Sequence, residues 1–142
     1  MANLLPFPRF HAALPKQGDR YEAYRLAGPR TLPMLNFVFA DGSLDALAYS
    51  CLRYTEHRFL GDGNGGVLIL FAPAPGAWVL VVLTGRCLAR LPDRIGEWAV
   101  CWIWELPEGE TWPPDQPVVH SIEIRDIDAD QAEAILARRS TE

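Results

Sequence analysis

The sequence predicts an α+β fold: a mainly antiparallel five- or six-stranded sheet, bent or forming a partly open barrel, with a short helix and a C-terminal helix. Short apolar segments rich in β-branched and aromatic residues alternate with Gly/Pro turns from Met34 to Leu106. Helix-like spacing appears at Leu88, Leu91 and Ile95 and again after Asp128. A chain of 142 residues, 49% of them hydrophobic, has the size and polarity of one domain with one core.

Residues 1–33 hold five of the 12 prolines, each lacking an amide donor and fixed in φ, so this stretch reads as a basic arm rather than regular structure. Its apolar members, Leu4, Leu5, Phe7, Phe10, Tyr21 and Tyr24, are too many for a solvated tail. The arm is expected to pack on the body or on a neighbouring subunit, with a short helix or edge strand over 18–26, and residues 34–142 to form the single α+β domain. Leu35–Ala40 followed by Asp41-Gly42 reads as a hairpin with a type I′ turn. Leu44–Phe59 reads as one long strand bent near Tyr49-Ser50. Its tip leads into Gly61-Asp62-Gly63-Asn64-Gly65-Gly66. The strands near 67–72 and 78–84, joined by Pro73-Ala74-Pro75-Gly76, are continuously apolar over Val67–Ala72 and Trp78–Leu83, which predicts central strands buried on both faces. Pro92 limits the helix at Leu88–Ile95 to a short one. Trp98 to Glu105 is a strand with an aromatic face, 106–117 a Pro-rich acidic loop, and 118–125 the last strand. Asp128 and Gln131 form a capping-box pair that starts the C-terminal helix.

Four segments, Phe39-Ala40-Asp41-Gly42-Ser43, Ala48-Tyr49-x-x-Leu52, Gly85-Arg86-x-Leu88-x-x-Leu91 and Val100-x-Trp102-Ile103-x-Glu105, share a pattern. It resembles the F-x-D-G-S, L-P-Y-x-x-L, G-R-N-L-x-x-L and V-x-W-I motifs of a family of small, functionally uncharacterised bacterial proteins. Ala48 stands where that pattern has Pro, and Cys87 where it has Asn. The resemblance covers about half of the chain; it implies a compact α+β domain and brings with it no activity, cofactor or site residue.

Composition narrows the function classes. No apolar run approaches the roughly 18 residues of a membrane span, and the N-terminus lacks a basic stretch followed by an apolar one, so no membrane association is expected and the cytoplasm is the expected location. Cys51, Cys87 and Cys101 have no CxxC spacing, which predicts reduced thiols and no zinc site. The net charge of -5 divides into +3 over residues 1–33 and -8 over the rest. An acidic body argues against nucleic acid, whose non-specific binding draws on Lys and Arg. The glycines of GxGxxG at Gly61, Gly63 and Gly66 precede a strand where a phosphate site would need a helix, so they read as a hairpin tip. No cofactor or metal is expected.

The candidate site residues are therefore few. His120 alternates with Val118, Ile122 and Ile124, which aims its imidazole at the core or a cleft. Trp98, Trp102 and Trp104 crowd one strand, and Trp112 sits in the acidic loop, an aromatic set suited to a core, a pocket or an interface. The leading expectation is a non-enzymatic binding or protein-interaction module, self-associating, that uses the arm, the tryptophan face and the loop 107–117. One alternative is a small-ligand or hydrolase-like pocket in the bent sheet, with Tyr49, Arg53, His120 or Cys101 supplying polar groups. Another is an acidic inhibitor or mimic that binds a basic partner.

Overall fold

The computed structural model describes residues 13–28 and 31–140. Leu4, Leu5, Phe7 and Phe10 of the arm lie outside the described residues. The elements are β1 (Tyr24–Leu26), β2 (Met34–Val38), β3 (Leu44–Ala48), β4 (Leu52–Gly61), β5 (Asn64–Ala74), β6 (Ala77–Arg86), α1 (Leu91–Gly96), β7 (Val100–Trp104), β8 (Val118–Ile127) and α2 (Ala129–Ser140). The class is α+β, but among the described residues eight strands form two four-stranded sheets, ordered β1-β7-β2-β3 and β4-β5-β6-β8, instead of one sheet of five or six. Among the strands of the described residues only β2 and β7 pair in parallel.

The two extra strands arise at separate points of the chain. The stretch expected as one long strand breaks at a 3-10 turn, Tyr49–Cys51, where the Leu52 amide returns to the Tyr49 carbonyl. The turn moves the chain from the first sheet into the second, so β3 and β4 are neighbours in sequence without being paired. The other extra strand is β1, which adds to the edge of the first sheet beside β7.

Turn chemistry also differs from expectation. At the β2–β3 hairpin the Gly42 amide bonds the Phe39 carbonyl at 2.9 Å, and Gly42 alone is left-handed, with φ 89°. That is a four-residue turn ending in a left-handed glycine, not the type I′ turn expected at Asp41-Gly42. The Asp41 carboxylate is tied up locally, accepting from the Ser43 hydroxyl at 2.6 Å and amide at 2.9 Å. Asp62 (φ 54°) and Gly63 (φ 78°) instead make the paired left-handed conformation, at the β4–β5 tip.

The inner faces of the two sheets form the main core. Phe37 and Ile103 oppose each other across β2 and β7, and Val67, Ile69, Phe71, Val81 and Leu83 supply the other wall. Burying each such side chain contributes roughly 1.5–3 kcal/mol. The continuous apolar runs of β5 and β6 are buried on both faces: Leu68, Leu70, Leu80 and Val82 turn outward beneath Ala132, Ile135 and Leu136 of α2. The α2 start is a reciprocal capping box, the Gln131 amide donating to Asp128 Oδ1 at 2.8 Å and the Asp128 amide to Gln131 Oε1 at 3.0 Å. Pro92 occupies the first turn of α1, where its missing amide costs nothing, and Leu91, Pro92 and Ile95 are buried at one end of the sandwich.

The sheets meet along one line without closing a barrel. Glu105 and Val119 make a single parallel bridge, and the Leu106 amide donates to the Val119 carbonyl at 2.8 Å.

Candidate interaction surface

Trp102 and Trp104 face outward from the first sheet, on the side of Asn36 and Val38 and opposite Phe37 and Ile103. Residues 13–25 cross this face and bury them. Trp102 Nε1 donates to the Ala13 carbonyl at 3.2 Å, and the Arg25 guanidinium lies 5.4 Å above the indole. Arg25 is itself ion-paired with Glu22, which holds its guanidinium more firmly protonated than usual.

A continuous chain of ring contacts results. Trp102 meets Trp104 edge-on at 6.2 Å, Trp104 meets Tyr21 at 5.2 Å, and Tyr21 meets Trp112 edge-on at 5.1 Å. Such pairs contribute about 0.5–1.5 kcal/mol beyond the area they bury. Segment 13–25, the tryptophan face of β7 and the loop after it thus form one ridge. Open grooves of about 420 Å³ and 430 Å³ adjoin it. The first is lined by Arg20, Tyr21, Glu22, Tyr24, Trp112 and Pro117, the second by Leu14, Lys16, Arg20, Arg25, Trp102 and Trp104 among others.

Two buried tyrosines fix β7 at its ends. The Tyr21 hydroxyl donates to the Trp104 carbonyl at 2.8 Å and accepts from the Val119 amide at 2.8 Å, taking the place of a backbone rung where β8 leaves β7. The Tyr49 hydroxyl donates to the Val100 carbonyl at 2.8 Å and accepts from the Val100 amide at 3.2 Å. Burial pushes both phenols well above the ordinary tyrosine range, against the opposing pull of their backbone hydrogen bonds. Glu105 adds a third clasp, one carboxylate oxygen accepting from the Ala40 amide at 2.8 Å and the other from the Ile122 amide at 2.9 Å.

The structure brings together Trp102, Trp104 and Trp112 but not the other candidate residues. Tyr49 lies at the far end of β7, stacked on Trp98 at 5.7 Å, and Trp98 itself is left-handed (φ 60°). Arg53 is exposed, its guanidinium donating to the Ser50 and Leu52 carbonyls. His120 is exposed, which corrects the inward orientation expected from alternation. A bulge pairs Thr84 with Ser121 and Gly85 with Val119, leaving His120 as the extra residue, so Val118 and Val119 are both buried and the imidazole turns out. The four polar groups expected to furnish a bent-sheet pocket therefore do not converge: Tyr49 is bonded to Val100, Cys101 is buried in the core, and Arg53 and His120 face solvent. Tyr21, Arg25 and Glu105 are residues of the ridge and its supports that sequence reasoning did not single out; the one signal was an aromatic pair, Tyr21 and Tyr24, in a Pro-rich arm.

Among the described residues no group of three or more His, Cys, Asp or Glu side chains is placed to hold a metal ion, and no helix is long and apolar enough to cross a membrane. Comparison with known proteins finds no matching family model, no matching curated protein and no matching solved structure.

Proposed function

We propose that the chain is a non-enzymatic protein-interaction module whose binding face is the aromatic ridge and the groove between residues 20–24 and the loop 112–117. The observation that carries this is the convergence of segment 13–25, the β7 tryptophans and the acidic loop on one surface. Trp112 is only half-buried in the groove wall and Tyr24 stands beside it, while Arg20 and Glu22 offer one charge of each sign. Rigid aromatic rings flanked by charges favour an extended peptide, since they supply contact area at small entropic cost. Panning a displayed peptide library against the full chain, followed by affinity measurement on Trp112→Ala and Arg20→Glu, tests the reading. Enriched peptides are expected to lose roughly tenfold or more in affinity on either variant. No enrichment, or peptides indifferent to both variants, overturns it. The groove volume of about 420 Å³ also suits a small planar ligand, which would give a saturable shift without any peptide.

A further inference from the structure

The second sheet ends in a long strand that no other strand of the described residues covers. β4 pairs with β5 on one side and stands at the edge of the order β4-β5-β6-β8. Its far end carries Phe59, 88% exposed, and Leu60, 57% exposed, the two most exposed large apolar side chains of the described residues. An edge of this length with apolar groups at its end is a template for another strand.

The geometry points to a second copy of this chain as that strand, paired antiparallel along β4 about a two-fold axis at His57. This inference is independent of the aromatic ridge, which lies on the other sheet. In a continuous sheet, opposed residues must share a face, so the axis passes through a residue and not between two. Bulges between Leu52 and Tyr54 and between Phe59 and Gly61 confine the regular ladder to 54–59. Only two axes then keep five regular residues opposed. An axis at Glu56 sets that carboxylate against its own copy, a like-charge pair. An axis at His57 sets Glu56 against the partner subunit's Arg58, and Arg58 against the partner subunit's Glu56, so one register is charge-complementary twice over.

The same register gives Phe59 a place. Thr55 lies opposite the partner's Phe59 on the inner face, and Thr55 lines an open cleft of about 510 Å³ with Arg90, Pro92, Asp93 and Arg94 along α1. The ring enters this cleft against Pro92 and within reach of two guanidiniums. Thr55 Oγ1, at the base of the cleft, is the buried side-chain polar atom that has no hydrogen-bond partner among the described residues. Within one chain Glu56 is already held between Arg58 at 2.9 Å and Arg138 at 3.4 Å, which fixes the carboxylate at the edge before a partner arrives.

Native mass spectrometry and light scattering on the full chain test the pairing. The wild-type chain is expected at twice its 15.9 kDa mass at micromolar concentration. Arg58→Glu alone opposes acid to acid, and Glu56→Arg alone opposes base to base; each is expected to weaken self-association on the order of tenfold or more. Mixed in equal amounts, the two variants present complementary edges and are expected to form a heterodimer with one chain of each mass. That recovery also shows that the variants are folded. A monomeric wild-type chain, a variant that stays dimeric alone, or a mixture without heterodimer overturns the proposal.

Discussion

The second sheet hides its outer face under twelve residues of regular helix, whereas the first hides its own under an irregular run, residues 13–23, that leads into β1. The helix satisfies its backbone internally and needs only Ala132, Ile135 and Leu136 on one side. The irregular run joins a ladder only at its end, where the Ala23 carbonyl and β1 meet β7, so side chains do much of the fastening: Trp102 Nε1 to Ala13, the Tyr21 hydroxyl to Trp104 and Val119, and Arg25 of β1 over the Trp102 ring. A cover of this kind concentrates its stability in a few polar contacts with aromatic residues, and leaves edges of those rings lining grooves.

The largest effect expected from that contrast comes from Trp104→Ala. It empties the centre of the ridge, and unfolding in urea is expected to show a loss of about 3–5 kcal/mol. A loss close to that of an exposed residue would mean that segment 13–25 is not a true cover. Next comes Tyr21→Phe, which keeps the ring and strands the Trp104 carbonyl and Val119 amide; about 1–3 kcal/mol is expected. The same variant carries a pH signature. Because the folded state keeps the phenol protonated above the ordinary tyrosine pKa near 10, while the unfolded chain releases the proton, stability falls as pH rises from about 10 upward. Urea midpoints measured on both sides of pH 10 should fall less steeply in Tyr21→Phe, with Tyr49 retaining its own share. The smallest effect belongs to the second sheet: Asp128→Ala removes one half of the capping box, and about 1 kcal/mol is expected in the same urea measurement. A larger loss there than in Tyr21→Phe would reverse the contrast.

What the sequence revealed follows the same division. The α2 start was legible because a capping box is written within four residues, and the double burial of β5 and β6 was legible because Val67–Ala72 and Trp78–Leu83 are unbroken apolar runs. A bend near Tyr49 was legible, but not that it would part the stretch into strands of two sheets, since the turn is held by Tyr49 bonding Val100 and Pro33, residues far from it in the chain. His120 was misread because alternation assumes a regular strand, and the bulge that breaks it depends on the neighbouring strand's Gly85. A Cβ on Gly85 would stand 1.9 Å from the Val118 carbonyl oxygen, so that glycine is what lets β8 approach so closely. Both Asp-Gly pairs looked alike, yet only Asp62-Gly63 became the paired left-handed turn, because the register of the flanking strands decides between them. Of the ridge, the tryptophans were visible and Tyr21 only as one of the arm's apolar residues, as nothing local shows that a residue of the arm will cap a strand so distant from it.

The insertion of β7 between β1 and β2 sets an order for synthesis and folding. β4, β5 and β6 follow one another as hairpins and can zip up as they emerge. The first sheet cannot: Asn36 waits for Trp102, and Tyr24 for Ile103. Until the last third of the chain is made, β2 and β3 are a lone hairpin with an open edge. Long-range pairing of this kind is slow because the loop must close before any contact rewards it. A nascent or truncated chain ending before Val100 would therefore hold β4, β5 and β6 paired but without β8, beside an unfinished first sheet, with the tyrosine clasps having nothing to grip.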